Sequence, residues 1–205
     1  MEWGGPGIHM SKRILIARMA AVPVAALAVI SQHSFPENSP LDVGIEIAGF
    51  TLLIAAAMGR VWCAAFISGR KNAELVTDGP YSIMRNPLYF FSFLGFVGAG
   101  LAFESFTIAL ALGALFFLTH WPTILREEKR LTEIFGDTFV RYTQRVPRFV
   151  PSPAKLSMPS AVTISPRLFS RALLESLLVL SIFVVAEGIE RFHLLHPESI
   201  VLRIP

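Results

Sequence analysis

The sequence predicts an all-α membrane protein, a polytopic bundle of about five transmembrane helices, and three observations carry that prediction. Of 205 residues, 53% are hydrophobic and only 16% charged, whereas soluble domains carry about 25% charged residues; mean hydropathy is +0.57. The apolar residues are gathered into five runs, 14–30, 43–67, 88–103, 106–125 and 172–189, instead of being spread at helical spacing. Lys and Arg fall almost entirely on alternate connections between those runs.

Each run has the character of a helix. A bilayer core takes about 20 helical residues, and backbone groups in lipid must be satisfied within the segment, which Ala-, Leu- and Phe-rich runs without alternation achieve only as helices. The first run follows Lys12 and Arg13 as a signal peptide would, but it has no small-x-small cleavage site before a soluble domain, so it reads as a retained helix. The third run is short and extends through Asn86 and Pro87, proline being suited to a first helical turn. Gly95, Gly98, Gly100 and Gly113 would let the third and fourth runs pack closely as a hairpin across the short turn at Phe103-Glu104-Ser105. The fifth run reads as an accessory helix after a polar linker.

Two basic residues precede run one, three lie between runs two and three, and nine between runs four and five. That makes fourteen against two, Arg191 and Arg203, on the other side. By the positive-inside rule the N-terminus is cytoplasmic, in keeping with a bacterial inner membrane. The basic pI of about 9.4 is therefore a topology signal, and no Arg/Lys stripe with interleaved aromatics points to nucleic acid. Arg60, two turns from a run's end, reads as a snorkelling side chain, and Trp121 as part of an interfacial aromatic belt. Cys63, the one cysteine, reads as a core thiol, and the five scattered histidines imply no metal centre.

The chain divides into 1–67, the first two helices; 68–153, a core of helical hairpin and flanking segments; and 154–205, linker and fifth helix. Chemistry concentrates in the core. Residues 68–87 and 126–153 are long, motif-like and far apart in sequence, yet the hairpin between them returns both to one membrane surface. Asp78-Gly79-Pro80 is turn chemistry. Leu131, Ile134, Phe135, Phe139 and Tyr142 recur at helical spacing, with Gly136 expected to interrupt the helix. Glu127 and Glu128 follow run four directly, next to Arg126, and ionisable groups at that depth are candidates for function.

The segments LVTDGPYSIMRNPLY, EE, FGDTFVRY and RVPRFVP, in this order across a hairpin, resemble the isoprenylcysteine carboxyl methyltransferase family and, more distantly, the phospholipid methyltransferases. The likeness spans about residues 66–151. It implies an S-adenosyl-L-methionine pocket at the cytoplasmic end of the bundle and a lipidic or prenylated substrate arriving from the membrane. By position it assigns Leu75 and Val76 backbone contacts to the cofactor, Tyr81 the pocket wall, and Asn86-Pro87-Leu88-Tyr89 the place of a His-Pro-x-Tyr turn, with Asn86 in place of His. Glu127 matches a cofactor-contacting glutamate. The arginine that relatives place four residues earlier, to meet a substrate carboxylate, is here Thr123.

These residue types suit that cofactor. A carboxylate accepts charge-assisted bonds from its ammonium or hydroxyls, and the rings of Tyr81 or Tyr89 can face its sulfonium. A carboxylate nucleophile would need only a cation, Arg126 or Arg85, to hold it; an amine would need a base, for which Glu127 and Glu128 are the candidates. An NADPH-dependent membrane reductase of related core and a non-catalytic scaffold or carrier remain as alternatives.

Overall fold

The computed structural model describes residues 31–33, 39–70, 73–196 and 202–204. The first apolar run, with Lys12 and Arg13 ahead of it, lies outside the described residues. From Pro40 onward the architecture is helical: α1 (Pro40–Ile67), the short α2 (Pro80–Ile83), α3 (Pro87–Ala102), α4 (Phe106–Phe135), α5 (Asp137–Arg145) and α6 (Pro166–Leu195). A single 3₁₀ turn covers Pro153–Lys155. Among the described residues the exceptions to an all-α fold are Ser31–His33 and Leu202–Ile204, which pair in parallel.

The helix boundaries are set by local chemistry. The Ser39 hydroxyl caps α1 by accepting from the Asp42 N–H (3.2 Å), and Ser105 caps α4 from Ile108 (3.2 Å). Proline opens α1, α2, α3 and α6, where its missing N–H costs nothing. Gly136, at φ +50°, separates α4 from α5; that left-handed turn is one a side chain would resist. Three helices, Pro40–Ile67, Phe106–Phe135 and Pro166–His193, are long and apolar enough to cross a membrane, and α3 is a shorter apolar helix. Their outward faces carry exposed Leu110, Leu118, Leu178 and Val184, as helices in contact with lipid do.

Helix α3 is central, with α1, α4 and α6 packed about it. Leu53, Ala99, Ala102 and Ala186 form the buried core, flanked by Leu112, Val179 and Phe183. Of the glycines expected in the α3–α4 hairpin, Gly100 does bring the two backbones together, since a Cβ there would run into Ala109. Gly98 instead lies against Leu52 and Gly49 of α1. Arg60 does not snorkel. Its Nη1 donates to Ser92 Oγ of α3 (2.7 Å) and its Nη2 to Glu175 of α6 (3.1 Å). A charge inside a bundle is stabilised by such internal partners, and the fifth run is thereby tied to the core.

At the end of the bundle far from Glu127 and Glu128, Glu104 is buried in the α3–α4 turn. Burial, reinforced by Glu190, Asp42, Glu46 and Glu187, pushes its carboxyl up to about 8. The folded state thus holds a proton that the unfolded chain releases near the ordinary value of 4.5. Stability is fullest below that value and declines as pH rises toward 8. The thermal midpoint of the detergent-solubilised protein should fall between pH 5 and 8, and Glu104→Gln should flatten the slope; a slope unchanged in the variant would remove Glu104 as its source.

Candidate active site

Helix α4 is 30 residues long, about 45 Å at 1.5 Å per residue, against a hydrocarbon core of about 30 Å. Its last turns therefore project beyond the apolar layer, and Glu127 and Glu128 stand at the point of emergence. The segment 74–89 folds back against them. Between the two lies a cavity of about 210 Å³, lined by Leu75 and Val76 from the loop, Tyr81 from α2, Arg85 to Tyr89 leading into α3, Glu127, Glu128, Arg130 and Leu131 from α4, and Phe139 and Tyr142 from α5.

Ten of the eleven residues expected at the site line this one cavity: Leu75, Val76, Tyr81, Arg85, Asn86, Pro87, Leu88, Tyr89, Glu127 and Glu128. Arg126 is the exception and corrects the sequence reading. It is exposed on the other side of α4, and its Nε donates back to the carbonyl of Pro122 (3.0 Å). Successive helical residues differ by about 100° in direction, so Arg126 and Glu128, two steps apart, point to nearly opposite sides of α4, and the cavity lies on the side of Glu128.

Glu128 also takes a different part from that of a base. Its Oε1 accepts from Asn86 Nδ2 (2.9 Å) and lies 3.5 Å from Arg85 Nε. Its Oε2 accepts from Arg148 Nε (3.0 Å) and is ion-paired with Arg148 Nη2 at 3.0 Å. Asn86 Nδ2 reaches the Arg148 carbonyl as well (3.1 Å). One buried carboxylate thus pins the turn before α3, the inner face of α4 and the segment after α5. The two amide protons of Asn86 thus fill two acceptors, with no charge required.

The residues after α5 are laced to the loop and short helix that line the site. Arg85 N–H donates to the Pro147 carbonyl (2.8 Å), Ser152 N–H to Ile83 (2.9 Å), and Gly79 N–H to Ser157 (2.7 Å). Ser157 N–H donates to Ser82 Oγ (2.9 Å) and Tyr142 Oη to the Tyr81 carbonyl (2.6 Å). Residues 154–157, read from sequence as linker, are therefore part of this frame. Phe139, Tyr142 and Val146 pack on Leu75, Leu131 and Phe135 behind it. Phe149 sits among Phe90, Phe93, Phe116, Phe117 and Trp121 between α3 and α4. Trp121 lies beneath the Arg148 guanidinium (5.9 Å) instead of standing alone in a belt. Arg148 and Phe149 were missed as site residues, though the RVPRFVP block contains them; their reach across α5 is invisible in one dimension.

Burial raises the Tyr81 phenol well above its ordinary value, with Cys63, Tyr142 and Glu127 adding to the effect. Burial likewise raises Tyr142, against the pull of Arg85. Both rings stay neutral at any physiological pH.

The pattern of the phospholipid methyltransferases matches residues 48–138, a stretch holding the whole α3–α4 hairpin and most of the cavity lining. The chain is 36% identical over 169 residues to the nickel-cobalt-cadmium resistance protein NccN of Alcaligenes xylosoxydans xylosoxydans, covering 82% of this chain and 79% of that one. The chain belongs to the phospholipid methyltransferase family. The cobalt-zinc-cadmium resistance protein CzcN of Cupriavidus metallidurans is 38% identical over 76% of this chain and 70% of its own. Protein-S-isoprenylcysteine O-methyltransferase B of Arabidopsis thaliana is 33% identical over 60% and 62%. No solved structure matches. Family membership and the long apolar helices together make this an integral membrane protein of methyltransferase type.

Proposed function

We propose that the protein transfers the methyl group of S-adenosyl-L-methionine to a hydrophobic or lipid-linked acceptor, from a cavity on the cytoplasmic side of a bacterial inner membrane. The observation that carries this reading is at Arg85. Its Nε is buried on the cavity wall, ion-paired with Glu128 Oε1 at 3.5 Å but without a hydrogen bond among the described residues, and a ligand carboxylate in the cavity would supply the missing acceptor. On the same wall Glu127 offers the opposite charge to the same space. A ligand carrying both a carboxylate and an ammonium satisfies the two at once, and the amino-acid end of the cofactor is such a ligand.

When bound, that cofactor supplies an electrophilic methyl group on a positively charged sulfur. Arg85 takes its carboxylate and Glu127 its ammonium. Tyr81 and Tyr89 present ring faces to the sulfonium, worth about 0.5–2 kcal/mol each, and Tyr81, held neutral, does not compete as a nucleophile. The backbone of Leu75 and Val76 would contact the cofactor, while Pro87 and Leu88 form an apolar wall. The laced segment 142–157 holds the loop that lines the cavity, so alignment is the main work of the chain. The Lys/Arg asymmetry supports the cytoplasmic placement. If the chain shares the metal resistance for which two relatives are named, methylation of an envelope lipid is the step this cavity would contribute.

Isothermal titration of purified protein in detergent with S-adenosylhomocysteine tests the cofactor, with NADPH titrated in parallel. Saturable heat with the nucleoside thioether and none with NADPH is expected. Heat with NADPH alone would favour a reductase; silence with both would sink the enzymatic reading.

A further inference from the structure

Between positions 138 and 174 the chain carries six Lys and Arg and no Asp or Glu. Three of these cations have partners: Arg148 is paired with Glu128, Arg171 with Glu175, and Arg141 Nη2 donates to Thr138 Oγ1 (3.4 Å). Arg145 and Lys155 have no carboxylate partner among the described residues, and both are exposed. The fold nevertheless sets them side by side. Lys155, in the 3₁₀ turn, donates through Nζ to the backbone carbonyl of Arg145 at the end of α5. Two like charges so placed repel, and an anion between them reverses the sign.

The two cations line an open depression of about 420 Å³ whose walls also include Gln144, Pro147, Val150 and Ser152, with no carboxylate. A second depression on the other side of Arg145 and Lys155, of about 520 Å³, contains Asp78. The first is therefore the side complementary to an anion. Its depth is set by Phe149, whose ring lies 6.0 Å from Phe93, 5.8 Å from Phe117 and 6.2 Å from Trp121, on the apolar lengths of α3 and α4. Val150 follows about 3.8 Å further along the backbone and is 72% exposed. A valine exposed at that level meets hydrocarbon instead of water.

One rim of the depression is thus apolar and at membrane depth, while the opposite end is doubly cationic. We propose that it binds the head group of an anionic phospholipid of the surrounding membrane, with the phosphate between Arg145 and Lys155 and the acyl chains passing Val150. The phosphate oxygens accept charge-assisted bonds from the guanidinium and the ammonium. A free phosphate uses only the cationic half of the site, and a zwitterionic lipid brings a cation of its own against the two already there. The lining also holds Pro147 and Ser152, whose backbone groups bond Arg85 and Ile83. A lipid seated here fastens the membrane to the frame around the cavity.

The test follows the thermal midpoint of the full chain in a neutral detergent during titration with dioctanoyl phosphatidylglycerol, dioctanoyl phosphatidylcholine and inorganic phosphate. Saturable stabilisation by the phosphatidylglycerol alone is expected. Arg145→Gln and Lys155→Gln should each weaken that binding about fivefold, and together about 25-fold, the worth of two cations beside an anionic lipid surface. The Arg145 guanidinium has no hydrogen bond or ion pair among the described residues, so Arg145→Gln decides the matter should Lys155→Gln lower the midpoint without lipid. Arg141→Gln removes an exposed cation outside the depression and should leave the affinity unchanged. An equal response to phosphatidylcholine or to inorganic phosphate, or no response to any probe, would overturn the proposal. A loss in Arg141→Gln as large as that in Arg145→Gln would do the same, since it marks diffuse surface charge and not a site.

Discussion

Glu128→Ala should lower the stability of the protein by about 3–5 kcal/mol, the usual cost of removing one partner from a buried ion pair. Glu128 and Arg85 side chains are only 11% and 12% exposed, so the substitution leaves a guanidinium uncompensated in a low-dielectric site. The Arg148 side chain is 40% exposed; screening limits that second pair to about 1 kcal/mol or less, and the Arg85 contact dominates. Asn86 loses an acceptor at the same time. Glu128→Gln, which keeps an acceptor oxygen without the charge, should fall between wild type and alanine. Thermal unfolding in detergent decides the matter: a midpoint unmoved by the alanine substitution would show that the turn before α3 is held by the backbone lacing alone.

The neighbouring substitution should behave in the opposite way. Glu127→Ala should bind S-adenosylhomocysteine about 10- to 100-fold more weakly, corresponding to the roughly 1.5–3 kcal/mol of a hydrogen bond to a charged group, while its unliganded thermal midpoint stays near that of wild type. Ligand-induced stabilisation scales with occupancy, so a fixed concentration of S-adenosylhomocysteine should raise the midpoint of wild type well above that of the variant. Equal shifts in the two proteins would remove Glu127 from the cofactor site. Those two outcomes together would divide the adjacent glutamates into one that builds the cavity and one that serves what enters it, although both line it.

The apolar runs located the helices well. Helix α1 covers Pro40–Ile67 where the run is 43–67, and α3 covers Pro87–Ala102 where it is 88–103. Such runs are legible because the bilayer imposes a length and a composition on each segment separately. Pro87 and Gly136 were legible for a similar reason, since each acts on its own backbone. Arg60 was not. Whether a cation near a helix end reaches out to water or sideways to a carboxylate depends on which helix lies beside it, and Glu175 is 115 residues away in sequence.

What the sequence determined by itself is the membrane bundle, the family, and the two segments that approach each other across a hairpin, all consequences of local hydrophobicity and of motif order. What only the tertiary structure decided is direction: that Arg126 faces away, that Glu128 is held by Asn86, Arg85 and Arg148, and that His120 stacks on Phe116 and meets Tyr89 edge-on. A side chain's neighbours across a bundle are set by the rotation and depth of helices relative to one another, and those quantities arise only when the helices pack.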